Sequence, residues 1–472
     1  MQHTGSTFPL YESHIDKNSI RKRRNSDTII VNQINLKQIN EITMESYMAI
    51  PSKTNSLPLK PIPDESFWKA FLRIHKKENH SMNMNKKIKR ANNSKTVAII
   101  ENDATVLIFE WIHDKYQIVA GKEEILFDNL LRDQDDDYLD TYLMNHSSFI
   151  SSTQLLNRLI QSFYTSMHQS RILYIIQRWL LMHYYHFKRN QGLFEQLNSF
   201  LSKEYITINY NQQPKLYVQP NTYVSIDGRP ILSIDSKSIA RYLTLVDHFL
   251  FNYIISNELM YYGEGSKCDV IDLMTKRFNM LNYWVMNELC NIKSTKLKKA
   301  SIEKFIEISK ICFELNNFHT CMIITMSLAS TSNKLKKIWR SLSHKDMNTF
   351  KLFNKLLNID SNMHYYRQQL HVTKKRPVIP FLPVVLKDMT FLKESPITHL
   401  DMVNFSRCQS IKEYVEKHQK LIDKPYWFVH DLVHVPYVGS THLDTQGLLD
   451  PIGDWVESRL NGIQEGYVCS SC

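Results

Sequence analysis

The sequence predicts an all-α protein: two helical domains behind a polar amino-terminal tail. Three observations predict it. Apolar residues recur at helical spacing from about Ile125 to residue 203, and again from Ser233 to about residue 424. Between these stretches, residues 205–230 change to prolines, Asn, Gln and β-formers, which reads as a connection between domains. Only 11 glycines occur in 472 residues, too few for an architecture of many tight turns, and the length favours two folded units plus tails.

Residues 1–63 are rich in Asn, Ser, Thr, Pro and Lys with little apolar periodicity, and read as a disordered basic and polar tail. Within it "RKRRNSD" sets Arg23 and Arg24 just before Ser26. That pattern is open to three readings: a solvated charge run, a phosphorylation site at Ser26 for a basophilic kinase, or a patch for an anionic membrane surface. Residues 64–116 read as a partly ordered lead-in, where the basic "KKIKR" precedes the alternating "TVAIIENDATVLIFEW", which suits a short strand. Residues 117–204 read as a helical module. Leu139, Leu143, Phe149, Leu155, Leu159 and Phe163 recur at mostly helical intervals, and "RILYIIQRWLLMHYYHF" is apolar on nearly every face, as a buried helix is. Residues 205–232 link the module to a larger domain, 233–465, in which Ile302, Phe305, Ile308, Cys312 and Leu315 share one helical face. Residues 466–472 form a short tail, and no repeat of fixed period suggests a solenoid.

The formal net charge of +11 is concentrated at one end. Residues 1–100 hold 17 Lys+Arg against 8 Asp+Glu, or +9, and residues 101–472 hold 41 against 39, or +2. A near-neutral body is a poor track for phosphates, so no nucleic-acid partner is expected. No GxGxxG or GxxxxGK[ST] phosphate loop occurs. The seven cysteines (Cys268, Cys290, Cys312, Cys321, Cys408, Cys469 and Cys472) lie mostly in apolar helical patterns and read as free thiols of a reducing compartment. With no signal peptide and no bilayer-spanning apolar run, a cytoplasmic protein is expected, recruited to membranes through its basic tail if at all.

Three patterns imitate chemical sites. Asp133, Asp135 and Asp137 stand at calcium-loop spacing, but Tyr138 replaces the required glycine and Met144 the glutamate, so the run reads as a helix start. His183 and His186, three apart on a helix, have no nearby carboxylate or cysteine to complete a metal set and read as packing histidines. The terminal "CSSC" puts Cys469 at a prenylation position, with serines where aliphatics belong. No metal and no cofactor is expected.

Four segments resemble one family. "SIARYLTLVDHFLF", "LNYWVMNELC" with "IEKFIEISKICFELNNFHTCMIITMSL", "NKLKKIWRSL", and "IPFLPVVLKDMTFLKE" followed by "DMVNFSRCQSI" are similar, in that order and spacing, to the catalytic domain of Ras-family guanine-nucleotide exchange factors. Residues 117–203 resemble, more weakly, the module that precedes it, with "IVAGKEEILFDNLL" at its opening and Trp179 as its helical tryptophan. The resemblance implies a factor that accelerates GDP release from a Ras-family small GTPase without covalent chemistry, and so not an enzyme in the bond-making sense. It implies a helical hairpin that protrudes from the domain and wedges open the nucleotide site of the GTPase. Thr390 and Glu394 would point towards the magnesium and phosphate subsites, with Lys387 and Asp388 in the same catalytic stretch and Phe381 bracing the base and touching the partner. Arg241 and Thr244 would lie on a GTPase-facing helix, with Leu243 and Leu245 packed inward. Asn316 and Asn317 read either as helix caps with core hydrogen bonds or as direct GTPase contacts.

"IPFLPVVLKDMTF" is more similar to Rap-directed members than to those acting on Ras or Ral, so Rap is favoured over Ras as partner. The usual "HEGN" is "KESP" in this chain, and Pro396 restricts Ser395. An adaptor of the same fold, binding GTPases without exchange, is the alternative. Exchange needs a wedge that binds the nucleotide-free partner more tightly than the loaded one, and a floppy wedge would spend that difference on ordering itself.

Overall fold

The computed structural model describes residues 86–90, 95–112, 115–132, 135–208, 230–263, 265, 267–399, 401–432, 434–435, 439–440 and 448–461. The readings for residues 1–63 with Ser26, for most of the linker, for Asp133 and for Cys469 lie outside the described residues.

The chain enters through an antiparallel meander of β1 (Lys86–Arg90), β2 (Thr96–Glu101), β3 (Ala104–Ile112) and β4 (Lys115–Gly121). Sequence alternation suggested one short strand in this region. The chain instead doubles back, because Asn102 and Asp103 both take a left-handed backbone, φ 49° and 58°, the geometry of a two-residue hairpin turn. Asn and Asp tolerate that geometry better than most residues. Alternate residues Val97 and Ile99 on β2, and Leu107 and Phe109 on β3, are buried.

Six helices follow: α1 (Glu123–Arg132), α2 (Asp136–Asn145), α3 (Ser152–Thr165), α4 (Gln169–Met182), α5 (Tyr185–Arg189) and α6 (Gln191–Lys203). The acidic run does start a helix: Asp135 caps α2 by accepting the Asp137 N–H at 2.9 Å. Ser151 and Gln154 form a reciprocal capping box at α3. Trp179 is wholly buried in the core of this unit. His183 and His186 are buried, but they do not share a helix: α4 stops at Met182, and α5 begins after the break.

The larger unit contains α7 (Ser236–Asn257), α8 (Asp269–Asn291), α9 (Thr295–Glu314), α10 (Phe318–Ser332), α11 (Lys336–Arg340), α12 (His344–Leu356), α13 (Asp360–Val372), α14 (Leu382–Glu394), α15 (Phe405–Ile422) and α16 (Asp450–Asn461). The all-α reading holds for it. Eight consecutive residues of α10, Phe318 to Thr325, are buried, as in a helix surrounded by others. α16 closes the unit: Glu457 takes Arg277 at 2.6 Å and the Tyr242 hydroxyl at 2.8 Å, and Trp455 meets Trp284 edge-on at 5.8 Å. Gly453 allows this approach, since a Cβ would come within 2.6 Å of the Tyr242 ring.

A short ribbon from the larger unit, β5 (Thr398–His399) and β6 (Met402–Asn404), completes the sheet of the smaller one, in the order β1-β2-β3-β4-β6-β5. Ala120 pairs with Asn404 and Gly121 with Val403. Cys268, Cys312, Cys321 and Cys408 are free and buried, whereas Cys290 is disulfide-bonded, which departs from the free-thiol reading at that position. No helix among the described residues is long and apolar enough to cross a membrane.

Candidate functional site

The strut "VIPF" is stitched into the larger unit before its helix begins. Val378 N–H donates to the Leu421 carbonyl at 2.7 Å, Ile379 N–H to Asn316 at 3.0 Å, and Phe318 N–H to Ile379 at 3.0 Å. Phe381 N–H donates to the Tyr366 hydroxyl at 2.8 Å. Its ring is 2% exposed and lies among Phe278, His319 and Tyr366 at 6.0–6.5 Å between centroids. Phe381 is thus a core residue in this structure, with no face left for a partner. Pro383 falls in the first turn of α14, where a missing N–H costs nothing.

Burial then falls steadily along α14. Leu382 to Met389 are all buried, Thr390 to Lys393 are half-buried, and Glu394 is exposed. Asp388 is gripped by both terminal nitrogens of Arg367 at 3.0 Å. Burial nevertheless pushes its carboxyl up to about 6 against the pull of Arg367. Burial likewise lowers the Lys387 ammonium to about 8. The structure therefore places Lys387 and Asp388 in the base of the helix, away from the solvent where the catalytic stretch was expected to present them. Thr390, half-buried, returns its hydroxyl to the Leu386 carbonyl at 3.1 Å, and Glu394 stands on the open end. Ser395 is extended, φ −61° and ψ 135°, as a residue before proline must be, and the helix stops there.

The open end is clamped from two sides. Lys393 Nζ donates to the carbonyls of Met260 and Tyr262, and Arg407 donates to the Lys393 carbonyl at 3.2 Å. Beyond the ribbon, Phe405 at the start of α15 stacks on Tyr138 at 4.9 Å, Asn145 donates to the Cys408 carbonyl at 3.1 Å, and Lys412 reaches Asp137 at 2.8 Å. The return helix thus starts inside the core of the smaller unit. Sequence reasoning missed Lys393 and Phe405 because their partners lie more than a hundred residues away, and Arg407 because its partner, the Lys393 carbonyl, is brought to it only by the turn of the ribbon.

Thr244 is fully buried, contrary to the expectation that it faces a partner. Asp247, one turn on, has to be satisfied inside the core: Asn317 Nδ2 donates to it at 2.8 Å and to Thr244 at 3.2 Å, and the Thr320 hydroxyl donates to it as well. Asn317 also caps α10 by accepting the Thr320 N–H at 3.0 Å. Asn316 is left-handed, φ 59°, and donates to the Lys375 and Pro377 carbonyls at 3.3 Å. Asn317 is thus a buried cap with core bonds, and Asn316, half-buried, holds the chain just before the strut. Arg241 stays near the surface, 4.4 Å from the Trp427 ring centroid, 5.0 Å from that of Phe428 and 3.6 Å from Asp431. Trp427 is 73% exposed, a large aromatic that sequence reasoning did not single out. Among the described residues no group of His, Cys, Asp or Glu is placed to hold a metal ion.

A family model described as the RasGEF domain matches residues 238–409, from the first turn of α7 into α15. The chain carries a RasGEF domain. The RasGEF N-terminal motif matches residues 117–200, the helices of the smaller unit. Among curated proteins, the chain is 25% identical over 375 residues to Ras guanine nucleotide exchange factor P of Dictyostelium discoideum, covering 68% of this chain and 25% of that protein. It is 31% identical over 223 residues to factor C of the same organism, 45% of this chain and 15% of that one. It is 30% identical over 219 residues to human Rap guanine nucleotide exchange factor 3, 44% of this chain and 23% of that one. The matches span a quarter or less of the length of these relatives. The RasGEF domain thus includes the whole strut, α14, the ribbon and the start of α15.

Proposed function

We propose that this protein is a guanine-nucleotide exchange factor for a Ras-family small GTPase, with Rap favoured over Ras. The observation that carries the reading is the burial gradient of α14: a helix locked at its base by Phe381 and Asp388 ends in an exposed carboxylate at Glu394. Such a wedge loses little entropy on insertion, because the strut, the ribbon and Lys393 have ordered it in advance. A carboxylate brought to the phosphate and magnesium subsites of a GTPase favours the nucleotide-free partner, and preferential binding of that state is all that exchange requires.

Arg241, within the RasGEF domain, and the exposed Trp427, beyond the matched residues, offer a surface for the partner, and half-buried Thr390 stands one turn before Glu394. The preference for Rap rests on the segment "IPFLPVVLKDMTF"; relatives named for Ras and for Rap are both matched. Ser395–Pro396, which ends α14 directly after Glu394, favours the second reading, an adaptor that binds a GTPase without emptying it. The test is loss of fluorescent GDP from purified Rap and Ras with and without the full chain. Faster loss from Rap is expected, equal or reversed rates remove the preference, and binding without acceleration selects the adaptor.

A further inference from the structure

We propose that Lys393 is a positioning residue for exchange: it ties the last turn of α14 to the turn Leu259–Tyr261 and so fixes the backbone from which Glu394 projects. The proposal rests on the exchange reading and deepens it.

The end of α14 is a loose place to leave a working carboxylate. A glycine in the left-handed conformation commonly closes a helix, with the N–H groups that follow returning to its last carbonyls. Ser395 stands at that place and is extended, φ −61° and ψ 135°, and Pro396 after it has no N–H to return. The closure that glycine gives is not open to this chain. Side chains hold the end instead: Arg407 donates to the Lys393 carbonyl at 3.2 Å, and Lys393 Nζ donates to the carbonyls of Met260 and Tyr262. Where the family pattern "HEGN" reads "KESP", the lysine thus arrives together with the loss of the glycine. An ammonium on a long stem has the reach and the donors to bridge two carbonyls.

The turn that receives Lys393 is a firm anchor. Glu258 accepts the backbone N–H of Val270 and Ile271 at 3.0 and 2.8 Å, which fastens the turn to the start of α8, and Leu259 beside it is fully buried. Tyr261, between the two acceptor carbonyls, carries the Arg189 guanidinium 3.8 Å from its ring centroid and meets Tyr185 edge-on at 5.5 Å. Both come from α5, so the smaller unit steadies the same turn. A tether is only as stiff as its fixed end, and this one is held from two cores.

A carboxylate that acts by taking the place of phosphate charge contributes where it reaches that subsite and little to the first docking of the two proteins. Loosening its backbone should therefore lower the maximal rate and spare KM.

The test compares Lys393→Met, which keeps the length and removes the charge, with Lys393→Arg, which restores the donors, both in the full chain. In the free protein, amide hydrogen exchange of residues 391–395 is expected to speed up in Lys393→Met and to return towards the parent in Lys393→Arg, with the melting temperature kept. Release of fluorescent GDP, measured over a range of Rap concentrations, is expected to show kcat lowered about tenfold or more by Lys393→Met with KM little changed, as loss of a charge-assisted contact predicts, and recovered by Lys393→Arg. In a Glu394→Ala background Lys393→Met should cost nothing further, because it acts through Glu394. Unchanged kcat in Lys393→Met, unchanged hydrogen exchange, or losses that add in the double variant overturn the proposal while the parent still exchanges. A parent that releases GDP from neither Rap nor Ras overturns the exchange reading, and this role with it.

Discussion

Phe381 and Glu394 stand at opposite ends of the same helix and should fail in different ways. Phe381→Ala empties a site among Phe278, His319 and Tyr366 and is expected to cost about 3–5 kcal/mol in urea unfolding, with exchange lost alongside. Glu394→Ala removes an exposed carboxylate, so the melting temperature should hold while GDP release slows, each tenfold being about 1.4 kcal/mol of barrier. Early melting of Glu394→Ala would make that residue structural. Asn317→Ala removes the α10 cap and the 2.8 Å donor to buried Asp247, so a loss of about 1–3 kcal/mol is expected in the same urea measurement. Thr244 and Asp388 illustrate where residue-level reading ends. A polar side chain at a partner-facing position of a motif looks the same whether it meets a GTPase or a buried Asp247, and only packing tells them apart.

The ribbon and α15 join two cores that the sequence separates by some two hundred residues. Val403, Phe405 and Cys408 belong to the larger unit in sequence and to the core of the smaller unit in space. A chain lacking residues 1–208 would expose that face, and it is expected to aggregate or to melt well below the full chain by calorimetry. Gly121→Ala probes the same joint: a Cβ there would come within 2.6 Å of Leu107 and 3.0 Å of Leu126 beside the β4–β6 pairing. Overpacking of this kind costs about 1–3 kcal/mol, so a lowered urea midpoint and slower exchange should appear together. Normal exchange in a destabilised Gly121→Ala protein would show that the ribbon does not set the hairpin.

Buried histidines lie in both units. Burial lowers His146, His319 and His418 to about 4 and His183 to about 3. A folded-state pKa below the usual 6.5 means stability that is present above pH 6.5 and lost as pH falls towards 4. For His146 alone the fall corresponds to about 3 kcal/mol. Asp388, raised to about 6, has the opposite sign: its contribution is lost as pH rises from about 4 to 6. The histidines outnumber it, so the urea midpoint should drop steeply between pH 6.5 and 4, and His146→Gln should flatten that slope. A flat profile in the parent protein would contradict the buried neutral rings. Charge also acts at long range, since residues 1–100 hold +9 of the +11. Removal of residues 1–63, which precede the β-meander, is expected to weaken binding to phosphatidylserine vesicles at low salt, and equal binding by both forms would make that tail a solubilising extension.

The helical class, the acidic start of α2 and the family of the larger domain were legible in the residues. Periodicity, caps and ordered motifs are local signals, carried by side chains a few positions apart. Even the β2–β3 hairpin has its cue in the adjacent Asn102 and Asp103. Tertiary structure alone decided which motif residues face outward. Thr244, Asp388 and Phe381 turned inward because Asp247, Arg367 and the Phe278 cluster lie against them, while Glu394 kept its exposure because α14 ends with it, ahead of Pro396. Tertiary structure also brought β6 to β4, creating the joint between the units. Contacts between segments that far apart leave no periodic trace, because the geometry that pairs them exists only once both cores have formed.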